Sequence, residues 1–290
     1  MTIFSPFTKL KNIFSCLMKK YHTRISLYFI CVVLLCAIFG PIISSHGYRE
    51  MNIPLMNRFW DRETLMRGYL LGTDGFGRDL FVRWCYGARI SLLIALFAIL
   101  IEATLGSIYG GVSGYAGGKI DFIMMKTLEV FSGVPNLLYL AFLVVLIGPG
   151  VKTIVISMAV NRWMTMATIV RSEVMKIKEK EYVQASYLLG GGVGWVLLIH
   201  LLPNIFGQIL VRLIAVIPSA IFYEAFLSFM GIGIRPPFPS WGQMLVEGFK
   251  SINTFPHIFI ISSLSVSLTV LSLNTIGDEL KNLFNSRIGD

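Results

Sequence analysis

Charge is scarce in this chain. Only 14% of its 290 residues are Asp, Glu, Lys or Arg, while 55% are hydrophobic and the mean hydropathy is +0.71. Globular domains in water carry about 25% charged residues. A water-soluble fold of this length cannot cover its surface with so few ionised groups, so the bilayer is the expected solvent. That scarcity excludes a disordered tail and a typical cytosolic enzyme. Cysteine is scarce too: Cys16, Cys31, Cys36 and Cys85 show no metal-ligand spacing, and two of them lie inside an apolar run. A disulfide scaffold is thereby excluded. His22, His46, His200 and His257 are dispersed, so no metal site is expected. The net charge of +9 does not point to nucleic acid, because the 25 basic residues are scattered rather than gathered on one face.

Catalytic signatures are missing as well. Gly118-Lys119 is not the end of a phosphate loop, since Ile120 follows and Ser113 stands where the first glycine belongs. Gly111-Val112-Ser113-Gly114-Tyr115 is not a nucleophile elbow, because its fifth residue is tyrosine. The metalloprotease pattern H-E-x-x-H does not occur. Any uphill work needs a partner or an ion gradient.

What the chain has is long apolar runs. Residues 1–24 carry Lys9, Lys11, Lys19, Lys20 and Arg24 with no acid, and an uncharged run from Ile25 to Ser44 follows. As a helix that run spans about 30 Å of hydrocarbon, and it is too long for a signal peptide. The basic arm places the amino terminus in the cytoplasm. Further spans are expected at about 88–111, 122–147, 151–170, 205–230 and within 251–277, giving six with both termini inside. The glycine run 110–118 is expected to interrupt the helix. Pro135 lies inside the third span, and the fifth is expected to break near Pro218. Leu188–Leu202 is apolar, but its glycines and Pro203 argue for short helical pieces rather than a seventh span. The resulting division is a basic arm (1–24), an accessory first span (25–45), an extracytoplasmic segment (46–86), a five-helix core (87–280) with a charged loop at about 171–204, and a cytoplasmic tail (281–290). The class is an all-α membrane protein.

The charged loop is the most specific stretch. Glu181-Tyr182-Val183-Gln184-Ala185-Ser186-Tyr187-Leu188-Leu189-Gly190 reads as a short helix with acids at its amino end, which suits the helix dipole. Tyr182, Ala185, Ser186 and Leu189 fall on one face, apolar and partly small, and Ser186 and Gly190 extend a smooth strip that another surface can approach closely. A solvated amphipathic connector is the alternative reading.

This run, ending at His200-Leu201-Leu202-Pro203-Asn204, resembles the cytoplasmic "EAA" coupling loop of importer-type ABC transporter permeases, with Gln184, Ala185 and Ser186 at the Glu-Ala-Ala positions. Four further stretches resemble the same family in order: Leu71-Gly72-Thr73-Asp74 with Gly77-Arg78-Asp79 and Gly87-Ala88-Arg89; Gly114-Tyr115 with Gly117-Gly118, Asp121 and Pro135; Glu224-Ala225 with Leu227-Ser228-Phe229, Gly231 and Gly233, then Pro236-Pro237, Pro239-Ser240-Trp241-Gly242; and Ser267-Leu268-Thr269-Val270 with Gly277-Asp278. Together they cover about residues 70–280 and resemble the dipeptide/oligopeptide/nickel permeases, on the side of the second, "C"-type subunit.

The resemblance implies a non-catalytic permease subunit in the plasma membrane, forming half of a pathway for peptides or for nickel or metal-chelator complexes. Its implied partners are a homologous second permease subunit, two ATP-binding subunits that hold the ATP and Mg, an extracytoplasmic solute-binding protein and membrane lipid. Glu181, Tyr182, Gln184, Ala185, Ser186, Leu189 and Gly190 would then form the docking helix for an ATP-binding subunit. Glu129 and Glu224 are candidates to line the pathway; ion pairs such as Glu224 with Arg212 are the structural alternative. Gly114, Pro135, Pro203 and Pro218 are candidate hinges, or equally helix ends and packing notches. The Pro236–Trp241 loop is a candidate contact for the binding protein, with Trp241 alternatively an interfacial anchor. A stand-alone secondary transporter or channel is the rival reading; it has no need of a smooth, exposed docking face.

Overall fold

Helices follow the apolar runs almost everywhere. The computed structural model describes residues 17–234 and 236–286. Most of the basic arm, with Lys9 and Lys11, and the last residues of the tail lie outside the described residues. In chain order the longer elements are α1 (Tyr21–Ile43), α2 (Arg62–Met66), α3 (Leu80–Ala116), α4 (Gly118–Ser132), α5 (Asn136–Ile147), α6 (Val151–Lys178), α7 (Glu181–Leu188), α8 (Leu202–Phe229), α9 (Trp241–Lys250) and α10 (Pro256–Ser286). A short helix, Val193–Trp195, and a π-helical stretch, Val196–Leu201, lead into α8. Among the described residues there is no strand, only an isolated bridge between Thr73 and Asp79.

Five helical stretches are long and apolar enough to cross a membrane: α1, α3, α6, Val196–Phe229 and α10. The pair α4 and α5, bent by 75° around Pro135, makes a sixth when taken as one broken span. Lys20, just before α1, pairs with Glu279 near the end of α10 at 2.6 Å. The start of the first span and the end of the last therefore share one face, as an even number of crossings requires.

The chain divides into two compact units. One contains the chain up to Ala95, Pro149–Val151 and everything from Ile217; the other contains Leu96–Gly148 and Lys152–Val216. In the first, α1 meets α3 closely enough that a Cβ at Gly40 would strike Cys85. Pro41 has no N–H to give to the carbonyl of Ala37, four residues earlier. Arg89 supplies the missing donor, bonding Ala37 O through Nε and Ile38 O through Nη2 at 2.6 Å. The same unit folds residues 44–79 into a hydrogen-bonded knot around the buried Leu55, Thr64, Tyr69 and Thr73.

In the second unit, α3 packs on α6 through Gly106, Gly110 and Gly114. A Cβ on Gly106 would lie 2.9 Å from Trp163 O, one on Gly110 would fall on the carbonyl group of Ala167, and one on Gly114 would lie 2.7 Å from Arg171 O. This corrects the expected interruption at 110–118: the helix continues to Ala116 and stops at Gly117, where φ is +64°. Each helical glycine costs about 1 kcal/mol of propensity, but the spacing of four lets two backbones touch, and that packing offsets the cost. The fifth span is likewise continuous through Pro218. Between the expected fifth and sixth spans, beyond the prolines of the Pro236–Trp241 loop, lies α9, capped by Ser240, whose hydroxyl accepts from Gln243 N at 3.0 Å.

Candidate functional site

The geometry around α7 starts with its anchor. Lys180 O accepts from Val183 N at 3.0 Å and Gln184 N at 3.1 Å, turning the chain sharply after α6. Val183 is 3% exposed and packs into a core with Val170 and Val174 of α6, Val196 and Leu201 of the π-helical stretch, and Ile205 of α8. The other described side chains of α7 are exposed or half-buried. Glu181, Tyr182, Gln184 and Ala185 are exposed, Ser186 is half-buried, and Leu189 is 88% exposed.

The helix ends in a left-handed cap. Gly190 has φ +86°, and Gly191 N reaches back to Ser186 O at 3.0 Å. A Cβ on Gly190 would meet nothing within 4 Å. Glycine is therefore required there by the backbone, and the space in front of it is open. The expected docking residues thus lie on a short helix and its cap, where Val183 faces the core and Tyr182, Ala185, Leu188 and Leu189 are exposed. Val183, Gln184 and Leu188 of this helix help to wall a pocket of about 590 Å³, together with Tyr115, Lys178 and Val196.

The end of the unit that carries α7 is tied together electrostatically. Asp121 of α4 accepts from Arg171 of α6 through both carboxylate oxygens, and Ser113 of α3 donates to Oδ1. Lys178, the last residue of α6, donates to Gly114 O at 2.9 Å. Gly114, a candidate hinge, is here a tight contact between helices. Pro135 sits at the α4–α5 bend, Pro203 in the first turn of α8 directly after the π-helical stretch, and Pro218 inside α8.

The intramembrane charges are placed differently from one another. Glu129 is exposed and pairs with Lys126 at 2.6 Å. Glu224 is fully buried and accepts from Ser91 (3.0 Å), Ser228 (2.9 Å) and Ser240 (2.7 Å). The expected example of an ion pair, Glu224 with Arg212, is corrected: Arg212 bonds Glu102 at 3.1 Å, and Glu224 is held by hydroxyl groups. Spacing along the chain gave no hint of a pair separated by 110 positions. Trp241 is also corrected as an exposed anchor or docking residue. It is 0% exposed, and its indole N–H donates to Trp84 O at 3.2 Å.

Outside the spans, the Asp61 carboxyl is strongly perturbed. Asp61 caps α2 by accepting from Thr64 N at 2.7 Å, and this bond, with the neighbouring Arg58, lowers its pKa to about 2.

Residues 103–290 match the family model described as "Binding-protein-dependent transport system inner membrane component". The chain is 40% identical to the dipeptide transport system permease protein DppC of Bacillus subtilis, over 90% of this chain and 81% of that protein. It is 37% identical to the oligopeptide transport system permease protein OppC of Bacillus subtilis, over 91% of this chain and 85% of the relative. With OppC of Escherichia coli K12 the identity is 33%, over 92% and 88%.

Proposed function

Because the chain belongs to the family of binding-protein-dependent transport system inner membrane components, we propose that it is a permease subunit of an ATP-driven peptide importer in the plasma membrane. It forms half of the translocation path; a homologous second permease subunit forms the rest. The chain itself is non-catalytic. Two ATP-binding subunits supply the energy, and a solute-binding protein delivers cargo from outside. Relatives named for dipeptide and oligopeptide transport favour peptides over nickel or metal chelates.

One observation carries the coupling mechanism: α7 is fixed to its own unit by Val183 and exposes Tyr182, Ala185 and Leu188. A helix built this way transmits force well. A partner gripping Tyr182, Ala185, Ser186 and Leu189 moves Val183, and through it α6 and α8, as one packed body. Closure of the ATP-bound subunits then tips the spans between two arrangements, each favoured by a different set of partner contacts. The bend at Pro135 and the π-helical stretch before Pro203 are where the motion is absorbed. Glu129 and Glu224 are assigned to the path and to its wall respectively, since the first is exposed and the second buried.

Both termini lie in the cytoplasm, by the basic charge of residues 1–24. Residues 44–79 then lie outside and α7 inside.

The test is co-purification of the assembled transporter. Gly190→Trp places an indole in the open space before the cap and strains a backbone at φ +86°. The ATP-binding subunits are expected to be lost while the second permease subunit is retained. A mutant complex that stays whole and transports peptide overturns the docking assignment.

A further inference from the structure

Residues 44–79 belong to no span, yet they display large apolar side chains on a well-folded knot. Trp60 is 64% exposed and Met66 78%, with Phe59 and Leu70 about half exposed. Exposed apolar surface of this kind on a folded segment marks a contact surface. Its centre is held in shape. Trp60 has φ +48°, a conformation a bulky side chain rarely adopts, so its display is enforced by the surrounding structure. The indole stacks on Phe59 with centroids 5.5 Å apart and planes within 4°. Its N–H is already satisfied by Leu70 O at 2.8 Å, which frees the ring to enter an apolar medium without an orphaned donor.

The position of this platform says what covers it. Phe59 stacks at 4.9 Å on His257, in the first turn of the span α10. His257 is itself buried, and stands at the head of the helix face that carries Ile260, Leu264, Leu268 and Leu271, which are exposed. The aromatic pair therefore continues an exposed apolar stripe just beyond the point where α10 begins. Charge agrees with this placement. Arg58, Arg62 and Arg67 lie within three residues of the platform in sequence; Asp61 and Glu63 pair with Arg58 and Arg67, which leaves Arg62 without an ion pair among the described residues.

We propose that Phe59, Trp60 and Leu70 form a membrane-interface anchor, seated in the headgroup region beside α10, with Arg62 set to meet lipid phosphate. Phospholipid is the occupant. Tryptophan at this depth and arginine beside phosphate both match the chemistry of the interface. The anchor holds the 44–79 knot against the bilayer at the start of the last span. It does not depend on the transport reading or on which side of the membrane the knot faces.

The test uses the complete transporter in phospholipid nanodiscs. Tryptophan emission is compared between the unaltered protein and Trp60→Phe, with and without lipids brominated near the headgroup end of the acyl chain. The difference isolates Trp60. It is expected to be quenched by brominated lipid and resistant to aqueous iodide. Quenching by iodide alone overturns the proposal. So does resistance to both, which places a protein surface over the ring. Should Trp60→Phe fail to assemble, a nitroxide on Leu70→Cys, read against the unaltered protein labelled in the same way, gives the same decision. Collision with oxygen in preference to a water-soluble nickel chelate supports lipid contact, and the reverse order overturns it.

Discussion

The carboxylate of Asp121 and the guanidinium of Arg171 meet as a bidentate pair, Nε on Oδ1 and Nη2 on Oδ2, joining α4 to α6 fifty residues apart. Ser113 adds a donor from α3, so one carboxylate binds three helices at the end of the unit where α7 is attached. Two parallel charge-assisted bonds fix orientation as well as distance. In the proposed mechanism, force arriving through α7 and α6 meets this corner.

Asp121→Asn keeps the shape and removes the charge. With Asp121 buried and Arg171 partly exposed, a loss of about 1–3 kcal/mol in stability of the detergent-solubilised complex is expected. Transport per ATP hydrolysed should fall further than ATP hydrolysis itself. The exchanged pair, Asp121→Arg with Arg171→Asp, is expected to recover part of the coupling; equal defects in the single and double variants would deny the pair this role.

Neighbouring glycines in α3 should behave oppositely. A Cβ on Gly110 lands on the carbonyl group of Ala167, so Gly110→Ala is expected to cost about 1–3 kcal/mol through overpacking. A Cβ on Gly111 finds only Leu197 at 3.5 Å, an ordinary contact. Gly111→Ala is therefore expected to be neutral or to stabilise by about 0.5–1 kcal/mol through helix propensity. Thermal unfolding of the two variants separates them.

Much of this fold was legible because apolar length is a local property. Ile25–Ser44 announces α1, and Glu181 with the small residues that follow it announces α7. Legibility ended where a residue's role depends on a distant partner. The glycine run reads as a helix breaker until α6 is laid against it. Arg212 could not be matched to Glu102 along the chain, and Trp241 in a proline-rich stretch looks exposed until Trp84 and Gly87 are seen to cover it. Ser240 three residues before Gln243 was a local cap signal for α9, hidden by the prolines ahead of it.

Anchor and contact residues of α7 should divide cleanly. Val183→Ala removes two buried methyl groups from the core and is expected to cost about 2 kcal/mol. Leu189→Ala, at an exposed position, should leave the unfolding temperature unchanged and weaken retention of the ATP-binding subunits. A stability loss at Leu189 equal to that at Val183 would mean that Leu189 packs within the chain.

Acid should loosen α2 through Asp61. Its folded pKa, about 2, lies below the usual carboxylate value of 3.8. The cap therefore stabilises fully above the unfolded value and is lost as pH falls from about 4 toward 2. Hydrogen exchange at the Thr64 amide, corrected for its intrinsic pH dependence, should accelerate over that window. Asp61→Ala should exchange rapidly throughout, with the pH step abolished.

The most direct measurement is a cross-link from Leu189→Cys to the ATP-binding subunit in the assembled transporter, using a short thiol-to-amine reagent applied from the cytoplasmic side. Expected is a product containing both chains, strengthened or weakened when ATP is trapped, and absent for a cysteine placed at Trp60. A cysteine at 189 that reacts only from the opposite side of the membrane, or that joins no ATP-binding subunit in a transporter active in peptide uptake, would contradict α7 as the gripped element.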